Sequence, residues 1–189
     1  MEAFEHVVKL YMESKGYLVS SNIKFAVRLK TRKKAYAEHQ THGYEVDIVA
    51  AREESLVLGS VKSFLGSIGV SKQGFQGIAD ESKRTDFGGY RIFNDSEVRN
   101  GIIEGARDRY GYQRASIRIV LFVGKFKTGD QQIVQDHVNS MVDDGVSMKV
   151  VGLEEIMDGL MLEAQSRTYI NDPVIMTIKA LDAAGRLNS

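Results

Sequence analysis

The stretch GYEVDIVAAREESLVLGSVKS, residues 43 to 63, constrains the fold most. Two apolar segments rich in Val, Ile and Leu are joined by REES, the pattern of two antiparallel strands and a tight turn. Side chains alternate along a strand, so Glu45 and Asp47 are expected on one face, as are Leu58, Ser60 and Lys62. If the turn is a two-residue one centred on Glu53 and Glu54, Asp47 lies opposite Ser60 and Glu45 opposite Lys62. Such a cluster of carboxylates, hydroxyl and ammonium is costly in a core unless something compensates its charge. A divalent cation would do so, because carboxylate, carbonyl and water oxygens are what Mg²⁺ prefers. A neighbouring Lys can position an attacking water or offset charge growing on a phosphoryl group.

The segments around the hairpin alternate in type. Phe4, Val7, Val8, Tyr11 and Met12 recur at helical spacing, and Gly16 is placed to end that helix. YLVSS and IKFAVRLK read as extended, and KTRKKAYAEHQTHG as a polar, basic loop or the splayed end of a long hairpin. Beyond the hairpin, the pattern predicts a helix over 71–83 and another marked by Val98, Ile102, Ile103, Ala106 and Tyr110. ASIRIVLFVGK reads as a buried strand, followed by a helix carrying Ile133, Val134, Val138, Met141 and Val142 on one face. Then come the strand SMKVVGL, the helix LEEIMDGLML and a last helix opened by Pro173. Helix, three strands, helices, strand, helix, strand, helix make one α/β domain over 1–189, with no internal repeat or linker.

No apolar run approaches the roughly 18 residues that a membrane span requires, and MEAFEHVVKL carries acids where a signal peptide needs bases. The expectation is a soluble, unexported, cytoplasmic chain with no membrane partner. The absence of cysteine removes disulfides, thiolate zinc sites and cysteine nucleophiles together. A formal net charge of 0 conceals an asymmetry: residues 1–42 carry a net +4 and residues 130–165 a net −7. A basic surface still attracts phosphate in a neutral chain, since charges beyond a Debye length of about 8 Å are largely screened.

On a helical projection Glu5 is the one acid of the first helix that borders its buried stripe, so it can face a site between helix and sheet. A helix carrying Phe4-Glu5, a Gly16-Tyr17 step into a strand, a strand bearing Asp47 and one ending in Ser60-Val61-Lys62 together resemble the PD-(D/E)XK nuclease superfamily. The resemblance covers about residues 1–125 and leaves 126–189 as a variable extension. It implies a restriction-endonuclease-like αβββαβ core with a mixed central sheet flanked by helices, and a C-terminal helical and strand extension. The activity implied is Mg²⁺-dependent hydrolysis of DNA phosphodiesters, of restriction or repair type, with Mn²⁺ as a substitute ion. Asp47 would be the central metal ligand, Lys62 the residue that positions the nucleophile, and Glu5 the helical acid.

Ser60 departs from the family pattern, which places Asp or Glu two residues before the Lys. Glu45 and Glu81 are the acids that could replace it as metal ligands. Without either, the expectation becomes a catalytically degraded nuclease-fold module that binds DNA or assembles without cutting. Lys30, Arg32, Lys33 and Lys34 are candidates for phosphate contacts, against the plainer reading of a solvated loop. Gln73 and Gln76 could face DNA or simply water. The spacing of His39 and His42 could suit zinc on a helix, but no Cys and no second pair follow at a suitable distance, so chance spacing in a polar loop is preferred, and His6 is expected to point outward. Cutting both strands asks for two active sites, which a homodimer supplies; the sequence does not fix the oligomeric state.

Overall fold

A computed structural model of the chain describes residues 2–30, 38–80, 82, 87–166 and 170–187. Helix α1 (Ala3–Ser14) is followed by strands β1 (Leu18–Lys30), β2 (His39–Arg52) and β3 (Ser55–Lys62). Next come the short helix α2 (Arg91–Asn94), α3 (Ser96–Tyr110) and β4 (Ile117–Val123). Helix α4 (Gln131–Ser140), β5 (Val142–Asp143), β6 (Val146–Gly152), α5 (Leu153–Ala164) and α6 (Pro173–Ala183) complete the order. The result is an α/β protein with a six-stranded mixed sheet, β1-β2-β3-β4-β6-β5, flanked by helices on both faces. β3, β4 and β6 run parallel, while the β1–β2, β2–β3 and β5–β6 pairs are antiparallel. No helix of the described residues is long and apolar enough to cross a membrane.

Each face of the sheet buries its own apolar cluster. On one, α1, α5 and α6 cover Ile48, Ala50, Val57, Val120, Phe122 and Val151. From α1 this face receives Phe4, Val8, Tyr11 and Met12, each worth about 1.5–3 kcal/mol when fully buried. On the other face α3 and α4 cover Phe25, Val27, Val49, Leu58, Ile119 and Leu121. The C-terminal third is continuous with the rest: β6 pairs with β4 over six residue pairs. Helix caps follow the sequence chemistry. Asp95 accepts the Glu97 and Val98 N–H groups at the start of α3, and Asp172 those of Val174 and Ile175 before α6.

The hairpin turn is as the sequence requires. Arg52 pairs with Ser55, leaving Glu53 and Glu54 as the loop, and the register runs back to Ile48 opposite Gly59. Alternation fails further out. Along β1, Val19 packs into the α1 face, whereas Ile23, Phe25, Val27 and Leu29 pack into the α3 face, although all have odd numbers. Along β2, Ile48 and Ala50 belong to the α1 face, but Tyr44 and Val46 belong to the α3 face. Both strands therefore exchange faces at the same level. Asn22, with φ of 56°, sits at that level in β1, and Asp47 occupies the matching position in β2, where the pairing skips one step. One left-handed residue reverses which side the following residues face, and Asn enters that region more readily than most side chains.

The helix expected over 71–83 does not form among the described residues. A 3₁₀ turn, Lys72–Gly74, is followed by further turns, with Gly77 at φ of 96°. At Gly74 a Cβ would lie 2.5 Å from the Tyr90 ring, so that backbone takes its path because of a close neighbour. The root of this segment is held by buried Asp130, which accepts the Ser71 hydroxyl at 2.8 Å and the Lys72 N–H at 3.1 Å. Val142, expected on a helix face, instead begins β5 and is exposed.

The inversion at Asn22 carries a testable cost. Asn22→Val, which forces a β-branched residue to a positive φ, is expected to lower stability by about 1–2 kcal/mol in urea denaturation, whereas Asn22→Gly should be near neutral. Equal stability of the two variants would contradict the role given to Asn22.

Candidate active site at the opening of the hairpin

The antiparallel ladder between β2 and β3 ends at Ile48 and Gly59, and Asp47 is the next residue of β2. Its side chain takes over where backbone pairing stops. Asp47 Oδ2 accepts the Val61 N–H at 2.6 Å and the Ser60 hydroxyl at 3.3 Å. Lys62 closes β3, its carbonyl accepting the Gly124 N–H at 2.9 Å from the end of β4. Its ammonium lies 5.7 Å from the centroid of the buried Tyr90 ring, a cation–π contact that directs the side chain to the α3 face. Tyr90 is in turn held 4.6 Å from Phe75. Ser60 and Lys62 share their face with Leu56 and Leu58, so Asp47, Ser60 and Lys62 lie on one side of the sheet.

Burial pushes the Asp47 carboxyl above its ordinary value of 3.8. The Val61 N–H, the Lys62 charge and the Ser60 hydroxyl pull the other way without cancelling it, and Glu45 adds a small upward push. The ionised carboxylate is thus short of positive compensation where it sits.

Other candidates are placed elsewhere. The inversion at Asn22 and Asp47 removes the expectation that Glu45 and Asp47 share a face. Glu45 lies beside Lys24 at 3.7 Å and accepts from Asn22 Nδ2 at 3.4 Å. Glu5 Oε2 accepts the Glu2 N–H at 3.0 Å, so it closes the first turn of its own helix. Gln73 Oε1 accepts the Asp80 N–H at 3.1 Å within its own loop, and Gln76 is exposed, its N–H donating to Asn94 Oδ1. Lys30 is exposed at the far end of β1, eight residues beyond Asn22 and so about 25 Å away along the strand. Glu81, Arg32, Lys33 and Lys34 lie outside the described residues. His39 and His42, three apart on β2, point to opposite faces and cannot share an ion. His6 does not point idly outward, for its Nε2 lies 2.8 Å from Asp172, the cap of α6.

Sequence reasoning missed Tyr90, which sits in a glycine-rich stretch without periodicity. It also missed that Lys24 and Arg28 share the exposed face of β1 with Lys30, forming a basic row. The cations at 24, 28 and 30 carried that signal, since even spacing in a strand means one face.

Among the described residues no group of three or more His, Asp or Glu side chains could hold a metal ion by itself. Among the described residues Asp47 is the carboxylate that lies against Ser60 and the Val61 N–H. That set still fits Mg²⁺ in one form, because Mg²⁺ is commonly held by one or two carboxylates completed by substrate phosphate and water. The under-compensated charge of Asp47 favours such a cation. A separate cleft of about 630 Å³ opens at the carboxyl ends of β4 and β6, lined by Gly124, Lys125, Gly152 and Glu155 among others, and excludes Asp47 and Lys62.

No protein-family model matches the chain, and none of the curated proteins is significantly similar to it. Among solved structures it is similar to the crystal structure of a protein of unknown function, AF1548, at 14% sequence identity and a TM-score of 0.34, over 97% of this chain and 77% of that one. A likeness at that level establishes neither family nor activity.

The raised pKa of Asp47 has a direction in stability. The folded protein holds this proton more tightly than the unfolded chain does, so the cost of ionisation is absent below the unfolded pKa and fully present above the raised folded one. Asp47→Asn keeps an oxygen for the Val61 N–H and discards the charge. It should unfold at a higher temperature than the wild type at neutral pH, with the advantage fading as the pH falls to about 4. A variant less stable than the wild type at neutral pH would contradict this.

Proposed function

We propose that the chain is a Mg²⁺-dependent DNA endonuclease of restriction or repair type, built on a restriction-endonuclease-like fold. The observation that carries the reading is the placement of Asp47 and Lys62, from adjacent strands, on one side of the sheet where the β2–β3 ladder opens, near enough for the Lys62 charge to act on the carboxylate. Supporting it, α1, β1, β2, β3, α3 and β4 follow one another in the order that an αβββαβ core requires.

Each residue has a distinct task. Asp47 would hold the ion and is fixed by the Val61 N–H, which leaves little rotamer freedom to lose on binding. Lys62, steadied against Tyr90, orients the attacking water and offsets the negative charge that grows on the phosphoryl oxygens. Ser60 donates to Asp47 and keeps its Oδ2 turned towards β3. Mg²⁺, when bound, supplies Lewis-acid polarisation of the phosphoryl group. With no group of three or more possible ligands among the described residues, ion and DNA phosphate should each strengthen the other's binding.

A second reading is favoured by a specific observation, Ser60 in place of an acid in a site without a three-carboxylate group. In it the fold binds DNA, or serves assembly, without cutting.

Incubation of supercoiled plasmid with Mg²⁺ or Mn²⁺ separates the two. The nuclease reading expects nicking or linearisation, reduced by two orders of magnitude or more in Asp47→Ala and Lys62→Ala, about 3 kcal/mol or more of transition-state stabilisation. Unchanged cleavage in both variants would remove this site assignment. Salt-sensitive DNA retention without cutting would favour the binding module. In that case Ser60→Glu, which restores a second carboxylate beside Asp47, should tighten Mn²⁺ binding measured by calorimetry.

A further inference from the structure

Immediately after Lys62 the chain makes a short loop, residues 63–69, that is apolar and exposed. Phe64 is 40% exposed, Leu65 52% and Ile68 74%, three large hydrophobic side chains within five residues. Isolated exposed apolar residues are ordinary, but a group of them beside a polar site is informative.

The loop is held firmly at both ends. Gly124 N–H donates to the Lys62 carbonyl, and a Cβ on Gly124 would lie 2.3 Å from the Ser63 carbonyl oxygen. At the other root Val70 N–H donates to the Lys125 carbonyl, and Lys127 N–H to that of Val70, both at 2.9 Å. Lys125 Nζ donates to the Ser67 carbonyl at 2.7 Å, bracing the middle. Phe64 has φ of 45°, unfavourable for a bulky residue, and the Ser67 N–H on its carbonyl at 3.0 Å helps to keep it there.

The chemistry around the tip selects the occupant. No acidic residue occurs between Lys62 and Lys72, nor between Gly124 and Thr128, and the exposed Lys125 and Lys127 flank the loop, Lys125 on its other side bordering the cleft that Glu154, Glu155 and Asp158 line. An apolar tip between cations fits a polyanion that has an apolar interior. Duplex DNA answers that description once a base step is parted, and Phe, Leu and Ile are side chains that enter such steps.

We propose that residues 64–68 form a wedge that enters the DNA at a base step next to the phosphate held by Lys62, unstacking it. This inference rests on the DNA reading of the Asp47 and Lys62 site. The wedge would fix the duplex relative to the site and favour flexible steps or mismatches, where unstacking costs least.

The test uses the full chain in EDTA, so that nothing is cut, and duplexes carrying 2-aminopurine at successive positions. Anisotropy of a labelled duplex tests the DNA reading, and 2-aminopurine fluorescence tests the wedge. The wild type should bind and raise the fluorescence several-fold at one or a few positions. Leu65→Ser/Ile68→Ser should abolish the rise and weaken binding about tenfold, with the salt dependence and unfolding temperature unchanged. Binding by the wild type without a fluorescence rise, or a double variant that behaves as the wild type, overturns the wedge and leaves the DNA reading standing. Failure of the wild type to bind any duplex at low salt overturns both. Flotation with phosphatidylserine vesicles that depends on Leu65 and Ile68, without the fluorescence rise, would assign the loop to a lipid surface and also overturn the proposal.

Discussion

A carboxylate standing in for a strand is the contact on which the site depends. Where β2 and β3 stop pairing, the Val61 N–H would lose its cross-strand partner, and an unmet N–H in a half-buried position costs about 1–3 kcal/mol. Asp47 meets that need at 2.6 Å, and so its carboxylate is drawn into the gap between the strands. The consequence is electrostatic as well as structural. A partly desolvated anion now lies beside Lys62 in an opening that backbone no longer closes, and its affinity for protons is raised by burial. The same contact that completes the sheet also creates a demand for positive charge.

Asn22 gives that opening its shape. By exchanging faces at its level, the outer hairpin can lay Phe25 and Val27 on α3 while its root lays Val19, Ile48 and Ala50 towards α1. Helices on opposite sides of the sheet thereby clamp one hairpin, and the exchange falls where Asp47 leaves the ladder. Gly101 on α3 lets the helix come close enough for this, since a Cβ there would overlap Val27 at 2.3 Å. Stability and site geometry are therefore coupled at two residues that lie across from each other.

Much of this was legible in the sequence because it depends on local rules. Most of the element order, the two-residue turn at Glu53 and Glu54, and the approach of Asp47 to Ser60 follow from periodicity and turn length, whereas β5 and the short α2 do not. What was not legible arises from departures that leave periodicity intact. Val19, Ile23, Phe25 and Val27 keep the same parity on both sides of Asn22, so the pattern looks like one face when the chain uses two. Glu45 was expected beside Asp47 for that reason, and Glu5 because a helical projection gives direction but not the cap that its carboxylate closes. Tyr90 reaches Lys62 from a distant, aperiodic segment, which no spacing rule could anticipate. The helix expected over 71–83 yields to a turn held by Asp130 and crowded by Tyr90, a tertiary override of a plausible local pattern.

The most direct measurement of the central claim is a crystal structure of the chain with a short duplex and Mn²⁺, using anomalous scattering to locate the ion. If Asp47 holds the ion, the anomalous peak lies about 2.0–2.2 Å from one of its oxygens, beside a phosphate that the Lys62 ammonium also contacts. A peak on other acids, such as those lining the cleft near Glu155, with DNA lying away from Lys62, would contradict it.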